Sequence, residues 1–268
     1  MSKQMKGALI IIEGNISAGK TTLVKKLGDL LEARTYIEPA LDNPYLERFY
    51  KDPKKFALTM QVYLLQRRFL SYIEALKLCL QKDEIVLLDR SIFSDYVFAV
   101  KNYRDGNISK RGFEYYLSLR EKMLEHLPVP HATLYLDVPA QICHDRILHM
   151  RCRECESGIP LEYLAGLEDA YKEMLQDMKA VGSEVLVENW TNFGSVEHIA
   201  GKLEEALKKA HKTHEKAYDM ARILLDSTEK VQERMLLDYT LDGEMHFDSS
   251  APSAQEVYDG STQALRVL

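Results

Sequence analysis

The residues from Gly14 to Thr21 (GNISAGKT) have the spacing G-x-x-x-x-G-K-S/T of a phosphate-binding loop. An isoleucine-rich run at 8–12 precedes the loop, and the apolar spacing after it is that of an amphipathic helix. In this context backbone N–H groups converge on phosphate oxygens, and the helix N-terminus adds positive potential. We expect Lys20 to reach the outer phosphates and the Thr21 hydroxyl to bind Mg²⁺. The predicted triphosphate-binding residues are Gly14, Asn15, Ile16, Ser17, Ala18, Gly19, Lys20, Thr21 and Thr22.

Charged residues that could support phosphoryl transfer follow two other apolar runs. Glu38 ends a short run at 34–38, and Asp89 with Arg90 follows the run at 84–88. Transfer to a hydroxyl needs a base at the acceptor, a carboxylate for the metal, and cations on the transferring group. We expect Glu38 to take the acceptor proton and Asp89 to hold Mg²⁺, directly or through water. Arg90 is expected to fix the acceptor and the γ-phosphate.

A pair of arginines predicts a lid over the phosphates. Arg151 and Arg153 stand one residue apart and precede a glycine, as expected of a segment that closes over a site and excludes water. Cys152 and Cys155 lie in the same segment. A structural zinc site needs four ligands, and no second such pair exists. We interpret these cysteines as plain lid thiols, with a reversible disulfide as the alternative.

The elements that must position these residues follow from apolar periodicity. Five short apolar runs, at 8–12, 34–38, 84–88, 132–137 and 184–188, alternate with helical patterns. This alternation predicts an α/β fold with a five-stranded parallel sheet covered by helices on both faces. Such sheets bind ligands beyond the carboxyl ends of their strands. The motifs at 13–20, 38–39 and 89–90 all leave strand ends, so we expect them to converge.

Composition bounds the remaining possibilities. With 268 residues and 46% hydrophobic content the chain can bury one full α/β core, and a net charge of −6 argues against a nucleic-acid scaffold. No apolar run approaches the roughly 20 residues that span a bilayer, so we expect no membrane partner. The four cysteines have no disulfide-scaffold spacing, which favours the cytoplasm, or a mitochondrion if a presequence was removed. We expect a kinase domain at 1–212, a helical extension at 213–240 and an acidic, mobile tail at 241–268.

Several motifs in order resemble the deoxyribonucleoside kinases, the P-loop family that includes deoxycytidine, deoxyguanosine and deoxyadenosine kinases. The matching strings are IEGNISAGKTTL, EP, FYKDPKKF with a glutamine five residues later, DRSIFSD and RCRECESGIPLEYL. The resemblance runs from Ile12 to about residue 210 and implies the nucleotide-kinase fold with an arginine lid. It implies ATP-dependent, Mg²⁺-requiring phosphorylation of a deoxynucleoside 5′-hydroxyl in nucleotide salvage. It also implies a homodimer.

The resemblance further assigns roles to individual residues. It implies that Glu38 is the general base assisted by Arg90, and that Arg151 and Arg153 act on the phosphates. The residues that it assigns to the nucleoside are Tyr50 and Glu156 on the 3′-hydroxyl, Gln61, Arg68 and Asp95 on the base edge, and Phe98 stacked on the base. Phe193 falls where a side chain packs on the ATP adenine. The charged pair of Arg68 and Asp95 favours a purine deoxynucleoside or deoxycytidine over thymidine.

Two departures and two alternatives accompany these expectations. The spacing from Arg146 to Arg151 is one residue longer than in the family, so we assign Arg146 no role. The segment from Asp95 to Phe98 is one residue shorter than in vertebrate relatives.

The first alternative function is a catalytically silent structural subunit of the same superfamily. The second is a kinase for another small nucleoside or nucleotide.

Overall fold

The computed structural model describes residues 7–38, 43–125, 127–210 and 218, and in that part the chain forms one parallel sheet covered by helices. The strands are β1 (Ala8–Gly14), β2 (Arg34–Tyr36), β3 (Ile85–Asp89), β4 (Ala132–Asp137) and β5 (Glu184–Asn189). Their order is β2-β3-β1-β4-β5, and every pairing is parallel. The predicted α/β architecture with five parallel strands is confirmed.

The apolar run in the sequence is most continuous at the central strand, β1, for a structural reason. All seven residues of β1 are buried, since β3 pairs on one side, β4 on the other, and helices cover both faces. A strand buried on both faces has a continuous apolar run, as the isoleucines of β1 do. The edge strand β2 has only three residues, from Arg34 to Tyr36, and pairs with β3 alone. The predicted strand at 34–38 was therefore too long, and Glu38 lies in the loop beyond it.

The helices are α1 (Lys20–Leu31), α2 (Leu46–Lys51), α3 (Pro53–Lys82), α4 (Ile92–Arg104), α5 (Lys110–Leu124), α6 (Ala140–Arg146) and α7 (Leu161–Ala180). An eighth helix, α8, covers residues 196–210. The long helix α3 begins where the sequence predicts, because Asp52 accepts a hydrogen bond from the backbone N–H of Lys55 and Pro53 occupies the first helical position. Ser91 caps α4 in the same way, through the backbone N–H groups of Phe93 and Ser94.

The helix that begins after Pro139 changes character partway. Regular α-helix ends at Arg146, and a π-helical turn follows from Ile147 to Arg151. A π-turn takes up one additional residue within a helix and is frequent at functional sites. The extra residue between Arg146 and Arg151 is therefore absorbed in the helix, and a short 3₁₀ turn at Glu154–Glu156 completes the segment.

Helices α4 and α7 approach each other closely at one glycine. A Cβ atom on Gly166 of α7 would lie 2.1 Å from Cε of Lys101 on α4. Lys101 is buried, forms an ion pair with Asp105, and has its ammonium 5.4 Å from the centre of the Tyr163 ring. The absence of a side chain at Gly166 is what makes room for this lysine between the helices.

The end of the chain is described at one position. Tyr218 is buried, and its hydroxyl donates to the carbonyl oxygen of Val129 at 2.9 Å. Its ring lies 4.1 Å from that of His131. The predicted extension at 213–240, apart from Tyr218, and the predicted tail at 241–268 lie outside the described residues. Among the described helices none is long and apolar enough to cross a membrane.

Candidate active site

The phosphate-binding loop leaves β1 and enters α1, as the motif predicts. Gly19 precedes α1 with φ of 104°, and a Cβ atom there would lie 3.0 Å from the Phe193 ring, so only glycine suits this position. Lys20 is buried and donates to the carbonyl oxygens of Gly14 at 3.0 Å and Asn15 at 2.7 Å. Burial lowers the pKa of Lys20 to about 7. Lys20 is thus hydrogen-bonded to the loop with which it is predicted to bind the phosphates.

The Asn15 side chain connects this loop to α7. Its amide nitrogen donates to the carbonyl oxygen of Leu164 at 2.9 Å, and its amide oxygen accepts from the backbone N–H of Ile16 at 2.8 Å. The side chain is fully buried. The Asn15 side chain thus holds the phosphate-binding loop against α7. Because both ends of its amide are occupied, only the backbone of Asn15 is available to a phosphate.

Thr21 and Asp89 meet at the carboxyl ends of neighbouring strands. The Thr21 hydroxyl donates to Asp89 Oδ2. Asp89 Oδ1 is buried and has no hydrogen-bond partner among the described residues, and burial raises the pKa of this carboxyl. Hydroxyl and carboxylate oxygens are the ligands that Mg²⁺ prefers, and a buried acceptor without a donor suits a cation. These two residues therefore fit the predicted Mg²⁺ site.

Glu38 lies between two arginines. Its Oε1 atom accepts from Arg68 Nε at 3.1 Å and also from Arg68 Nη2, while Arg90 Nε lies 3.0 Å from Oε2. Burial alone would raise the pKa of Glu38, but the charges of Arg68 and Arg90 outweigh it and lower the pKa to about 2. The carboxyl is thus ionised at neutral pH, as a base must be.

Arg90 is oriented by its backbone and by α7. Its φ of 70° lies in the left-handed region, which is uncommon for a residue with a side chain and is often found at functional sites. Its Nη1 donates to the Tyr171 hydroxyl. Its guanidinium carbon lies 4.6 Å from the centre of the Phe98 ring, and that of Arg68 lies 5.5 Å from the same ring. Phe98 is thus placed next to both arginines.

The predicted base-edge residues form one buried network. Arg68 Nη1 donates to Asp95 Oδ1, and Gln61 Nε2 donates to Asp95 Oδ2 at 2.8 Å and to the Asp95 carbonyl oxygen at 3.0 Å. The Tyr116 hydroxyl also donates to Asp95 Oδ2, at 2.7 Å. Gln61 Oε1 remains buried without a partner among the described residues. The network therefore presents an acceptor that a nucleobase N–H could satisfy.

The predicted lid arginines surround Glu156, which is buried. Arg151 Nε lies 2.7 Å from Glu156 Oε2 without hydrogen-bond alignment, and Arg153 Nη1 donates to Glu156 Oε1 at 3.1 Å. Burial raises the pKa of Tyr50 well above its usual value, and nearby Tyr163 and Glu156 add to the effect. Tyr50 and Glu156 are thus neighbours. Both arginines are held by Glu156.

The lid cysteines carry free thiols. Cys152 is exposed, Cys155 is half-buried, and neither is in a disulfide. No group of metal-ligating side chains occurs among residues 7–38, 43–125 and 127–210. The interpretation of plain thiols therefore stays a prediction, as does the alternative of a reversible disulfide.

Arg146, for which we predicted no role, joins two parts of the site. Its guanidinium donates to the carbonyl oxygens of Ala18 at 3.0 Å, Trp190 at 3.0 Å and Thr191 at 2.7 Å. Its guanidinium carbon lies 4.1 Å from the centre of the Phe193 ring. Arg146 thus fastens the phosphate loop to the loop after β5, which carries the predicted adenine contact Phe193.

Sequence reasoning also missed Glu13, Tyr116 and Tyr171. Glu13 is fully buried at the end of β1, accepts from the Ser91 hydroxyl at 2.7 Å, and has a pKa raised to about 7 by burial. Glu13 could have been identified from the sequence, because it is a charged residue directly after the apolar run of β1. The two tyrosines gave no signal, because an aromatic residue at helical spacing is typical of a core position.

Comparison with known proteins shows the family to which the chain belongs. A protein family described as Deoxynucleoside kinase matches residues 10–212. A deoxyguanosine kinase from Dictyostelium discoideum is 47% identical over 195 residues, which cover 73% of this chain and 68% of that protein. A solved structure of deoxyadenosine kinase from M. mycoides with the products dCMP and dCDP has a TM-score of 0.64 and 26% identity, covering 75% of this chain and 98% of that one.

The chain is also similar to a protein of a different kind. The mitochondrial NADH dehydrogenase (ubiquinone) 1 alpha subcomplex subunit 10 from Bos taurus is 33% identical over 189 residues. The match covers 62% of this chain and 54% of that protein. Since the family match covers residues 10–212, more than half of the chain, the chain belongs to the deoxynucleoside kinase family.

Proposed function

We propose that this protein transfers the γ-phosphoryl group of ATP to the 5′-hydroxyl of a deoxynucleoside and serves nucleotide salvage. The observation that carries the proposal is the position of Glu38. An ionised carboxylate lies between Arg68 and Arg90, and Arg90 directly follows Asp89, which pairs with Thr21 of the phosphate loop. A base, a metal carboxylate and a phosphate loop at one edge of the sheet are what transfer to a hydroxyl requires.

In the proposed reaction Glu38 accepts the proton of the 5′-hydroxyl. A general base must be within hydrogen-bond reach of that proton and must be unprotonated. Arg90 holds the carboxylate from one side and Tyr171 fixes Arg90. The bond from the γ-phosphorus to ADP breaks as the bond to the 5′-oxygen forms.

The cations of the donor half stabilise the charge on the transferring group. Lys20 must leave the carbonyl oxygens of Gly14 and Asn15 to reach a phosphate, an exchange of one set of acceptors for another. Arg151 and Arg153 must likewise exchange Glu156 for phosphate oxygens when the lid closes. Mg²⁺, held by Thr21 and Asp89, would neutralise charge on the β- and γ-phosphates.

For the nucleoside we propose contacts with two groups of residues. Tyr50 and Glu156 bind the 3′-hydroxyl. Gln61, Arg68 and Asp95 bind the base edge, and Phe98 stacks on the base. Phe193 packs on the adenine of ATP.

The favoured substrates are purine deoxynucleosides or deoxycytidine, ahead of thymidine. The similarity to a deoxyguanosine kinase and a deoxyadenosine kinase supports this order. Arg68 and Asp95 add a physical reason, because two long charged side chains beside Gln61 leave less room for the 5-methyl group of thymine.

We further propose a homodimer in the cytoplasm, with a kinase domain at 1–212, a helical extension at 213–240 and a tail at 241–268. Light scattering of the full chain tests the oligomeric state, and localisation of the tagged natural protein tests the compartment. A mitochondrial location would be expected if the natural protein carries a presequence.

A substrate panel tests the main proposal. ATP-dependent phosphorylation of deoxyguanosine, deoxyadenosine, deoxycytidine and thymidine is measured with purified protein, and thymidylate is added as a nucleotide acceptor. Turnover of at least one purine deoxynucleoside is expected. Turnover of thymidylate alone would favour a nucleotide kinase instead.

A structural subunit is the second candidate, favoured by the similarity to the NADH dehydrogenase subunit. Glu38, Lys20, Asp89 and the two lid arginines are all present in this chain, which argues for an active enzyme. Absence of any turnover, together with recovery of the natural protein in a large complex, would favour the subunit.

A further inference from the structure

One arginine contacts two carboxylates to which different tasks are assigned. Arg68 Nε lies 3.1 Å from Glu38 Oε1, and its Nη2 donates to the same oxygen. Its Nη1 donates to Asp95 Oδ1. Arg68 and Asp95 are almost fully buried, and the Glu38 side chain is 19% exposed. The proposed general base and the proposed base-reading carboxylate are therefore joined by a single guanidinium.

The contact restricts how Glu38 can work. A carboxylate has about four lone-pair positions, two on each oxygen. Arg68 takes both positions on Oε1. The open positions are on Oε2, where Arg90 Nε lies 3.0 Å away as an ion pair. Because Arg68 fixes Oε1, it decides where Oε2 lies and hence where an acceptor hydroxyl must approach.

The other end of Arg68 is held equally firmly. Asp95 Oδ2 accepts from Gln61 Nε2 at 2.8 Å and from the Tyr116 hydroxyl at 2.7 Å, so the carboxylate on α4 is bound by side chains of two other helices, α3 and α5. Asp95 cannot turn toward or away from Arg68 without breaking these bonds. Arg68 is thus held at Asp95 through Nη1 alone, while its Nε and Nη2 contact Glu38.

From these contacts we infer that Arg68 is a positioning residue for the general base Glu38 as well as a residue of the nucleobase pocket. The inference rests on the proposed function of Glu38. It predicts that changes at Arg68 alter the chemical step with every nucleoside, whereas changes at Asp95 act mainly on the choice of base. Specificity and catalysis would then share one side chain.

Several charged groups act on Glu38. Arg68 belongs to α3, Arg90 follows β3, and Lys20 begins α1; all three lower the pKa of Glu38, against the effect of burial. Asp89 and Tyr171 also interact with Glu38. Loss of Arg68 removes the largest of the favourable charges and leaves Arg90 and Lys20, so the pKa of Glu38 should rise.

The pH dependence of kcat/KM tests this in the full-length protein. The acidic limb of such a profile reports the pKa of the base in the free enzyme. With deoxyguanosine as substrate, Arg68→Met is expected to move the acidic limb to higher pH and to lower kcat by about 10- to 100-fold, the effect of a misplaced group. Asp95→Ala is the matched variant, because it leaves Arg68 on Glu38. In Asp95→Ala the relative turnover rates of the different deoxynucleosides should change, while the acidic limb should stay at its wild-type pH.

A second measurement does not depend on turnover. The ¹³C signal of the Glu38 side-chain carboxyl is followed by NMR in protein labelled at glutamate, and Glu38→Gln identifies it. In the wild type the signal should stay that of a carboxylate from pH 8 down to about pH 4, where a glutamate with the ordinary pKa of about 4.3 would be half protonated or more. In Arg68→Met it should begin to titrate within this range. Arg68→Lys, which keeps a charge but lacks the guanidinium fork, should lie between the two and serves if Arg68→Met does not fold.

The outcomes separate this inference from the proposed function. An inactive wild type would contradict the proposed function, but a Glu38 signal that shifts in Arg68→Met would still support the contact. An active wild type whose Arg68 variants keep the wild-type acidic limb and Glu38 signal would overturn the inference alone. An Asp95→Ala variant that shifts the acidic limb as far as Arg68→Met would overturn it as well.

Discussion

The guanidinium carbon of Arg146 lies 4.1 Å from the centre of the Phe193 ring, and the same guanidinium donates to the carbonyl oxygen of Ala18 in the phosphate loop. The helix that carries Arg146 continues into the π-turn at Ile147–Arg151, where the lid begins. Arg146 therefore connects the phosphate loop, the lid and the loop after β5. These are the three segments to which the binding of ATP is assigned.

Phe193 is the exposed member of this arrangement, and its removal should affect ATP specifically. Stacking of a base on an aromatic ring contributes about 1–3 kcal/mol, so Phe193→Ala should raise the KM for ATP by about 5- to 100-fold. The side chain is 49% exposed, and the free energy of unfolding should change by about 0.5 kcal/mol or less. Steady-state kinetics and urea unfolding check the two statements. Leu30→Ala, at another exposed apolar residue, is the control; an unchanged KM for ATP in the Phe193 variant would contradict stacking.

Glu38→Gln should remove the general base while keeping the size of the side chain. A positioned base contributes about 10²–10⁴-fold, so kcat should fall by that factor while nucleoside affinity is largely kept. Rapid-quench kinetics and nucleoside titration of the variant measure both quantities. Glu47→Gln, at an exposed carboxylate on α2, is the matched control. A kcat equal to that of the wild type would exclude Glu38 from the mechanism.

Tyr171→Phe should slow the reaction through Arg90. The variant loses the hydroxyl to which Arg90 Nη1 donates, and a hydrogen bond to a charged group contributes about 1.5–3 kcal/mol. If that orientation is needed in the transition state, kcat/KM should fall by about 10- to 100-fold.

Tyr135 provides the control for this experiment. It is a buried tyrosine whose ring lies 5.3 Å from that of Tyr171, and its hydroxyl has no hydrogen-bond partner among the described residues. Tyr135→Phe should leave activity unchanged and keep or raise the midpoint of unfolding. Equal loss of activity in both variants would indicate a packing effect and contradict the role given to Tyr171.

Arg68→Met combined with Asp95→Ala should shift base preference toward thymidine. Removing both charged side chains opens space beside Gln61, and thymidine turnover relative to deoxyguanosine should rise by at least tenfold. Breaking a buried pair on one side costs about 3–5 kcal/mol. The Arg68→Met single variant leaves two carboxylates without this partner, so the double variant should be more stable than it in urea unfolding. An unchanged ratio of thymidine to deoxyguanosine turnover would mean that the base pocket is built from other residues.

Glu13 should make stability depend on pH. Its pKa is raised from 4.5 to about 7 in the folded protein, so the folded state keeps a proton that the unfolded state has released. The resulting stabilisation is complete below pH 4.5 and is lost as the pH rises through 7. At roughly 1.4 kcal/mol for each unit of pKa, the change is on the order of 3 kcal/mol.

Urea unfolding between about pH 5 and pH 8 measures this effect as the difference between the wild type and Glu13→Gln. The neutral glutamine should remove most of the decline in stability toward high pH. Ser91→Ala removes the hydroxyl that donates to Glu13 and should steepen the decline, because that donor favours the charged form. A constant difference between the wild type and Glu13→Gln across this range would show that Glu13 does not titrate there.

The sequence predicts the sheet and its motifs well because parallel strands impose a simple rule. Their carboxyl ends lie at one edge, so Thr21 and Asp89 could be expected to meet although 68 positions separate them. Helix starts are marked in the sequence where a capping residue or a proline stands, as at Asp52 and Ser91. Strand ends were predicted worst at the edge strand β2, where pairing on one side ends the strand at Tyr36.

The partners of the predicted residues could not be foreseen. Tyr116 and Tyr171 occupy core positions of α5 and α7, and apolar periodicity does not reveal that their hydroxyl groups reach Asp95 and Arg90. No role was predicted for Arg146 because the spacing from Arg146 to Arg151 differs from that in the family. The π-turn that absorbs the difference is a property of the folded helix. Contacts between helices depend on packing distances, which a single sequence does not contain.

The close approach of Gly166 to Lys101 has a consequence for engineering this enzyme. The helix α4 carries Asp95 and Phe98, α7 carries Tyr171, and the spacing of the two helices is set where the glycine admits the lysine. A library that varies only the pocket-lining positions keeps that spacing fixed. Joint variation of positions 101 and 166 would tune the width available to a nucleobase from outside the pocket, and these two positions should be randomised as a pair.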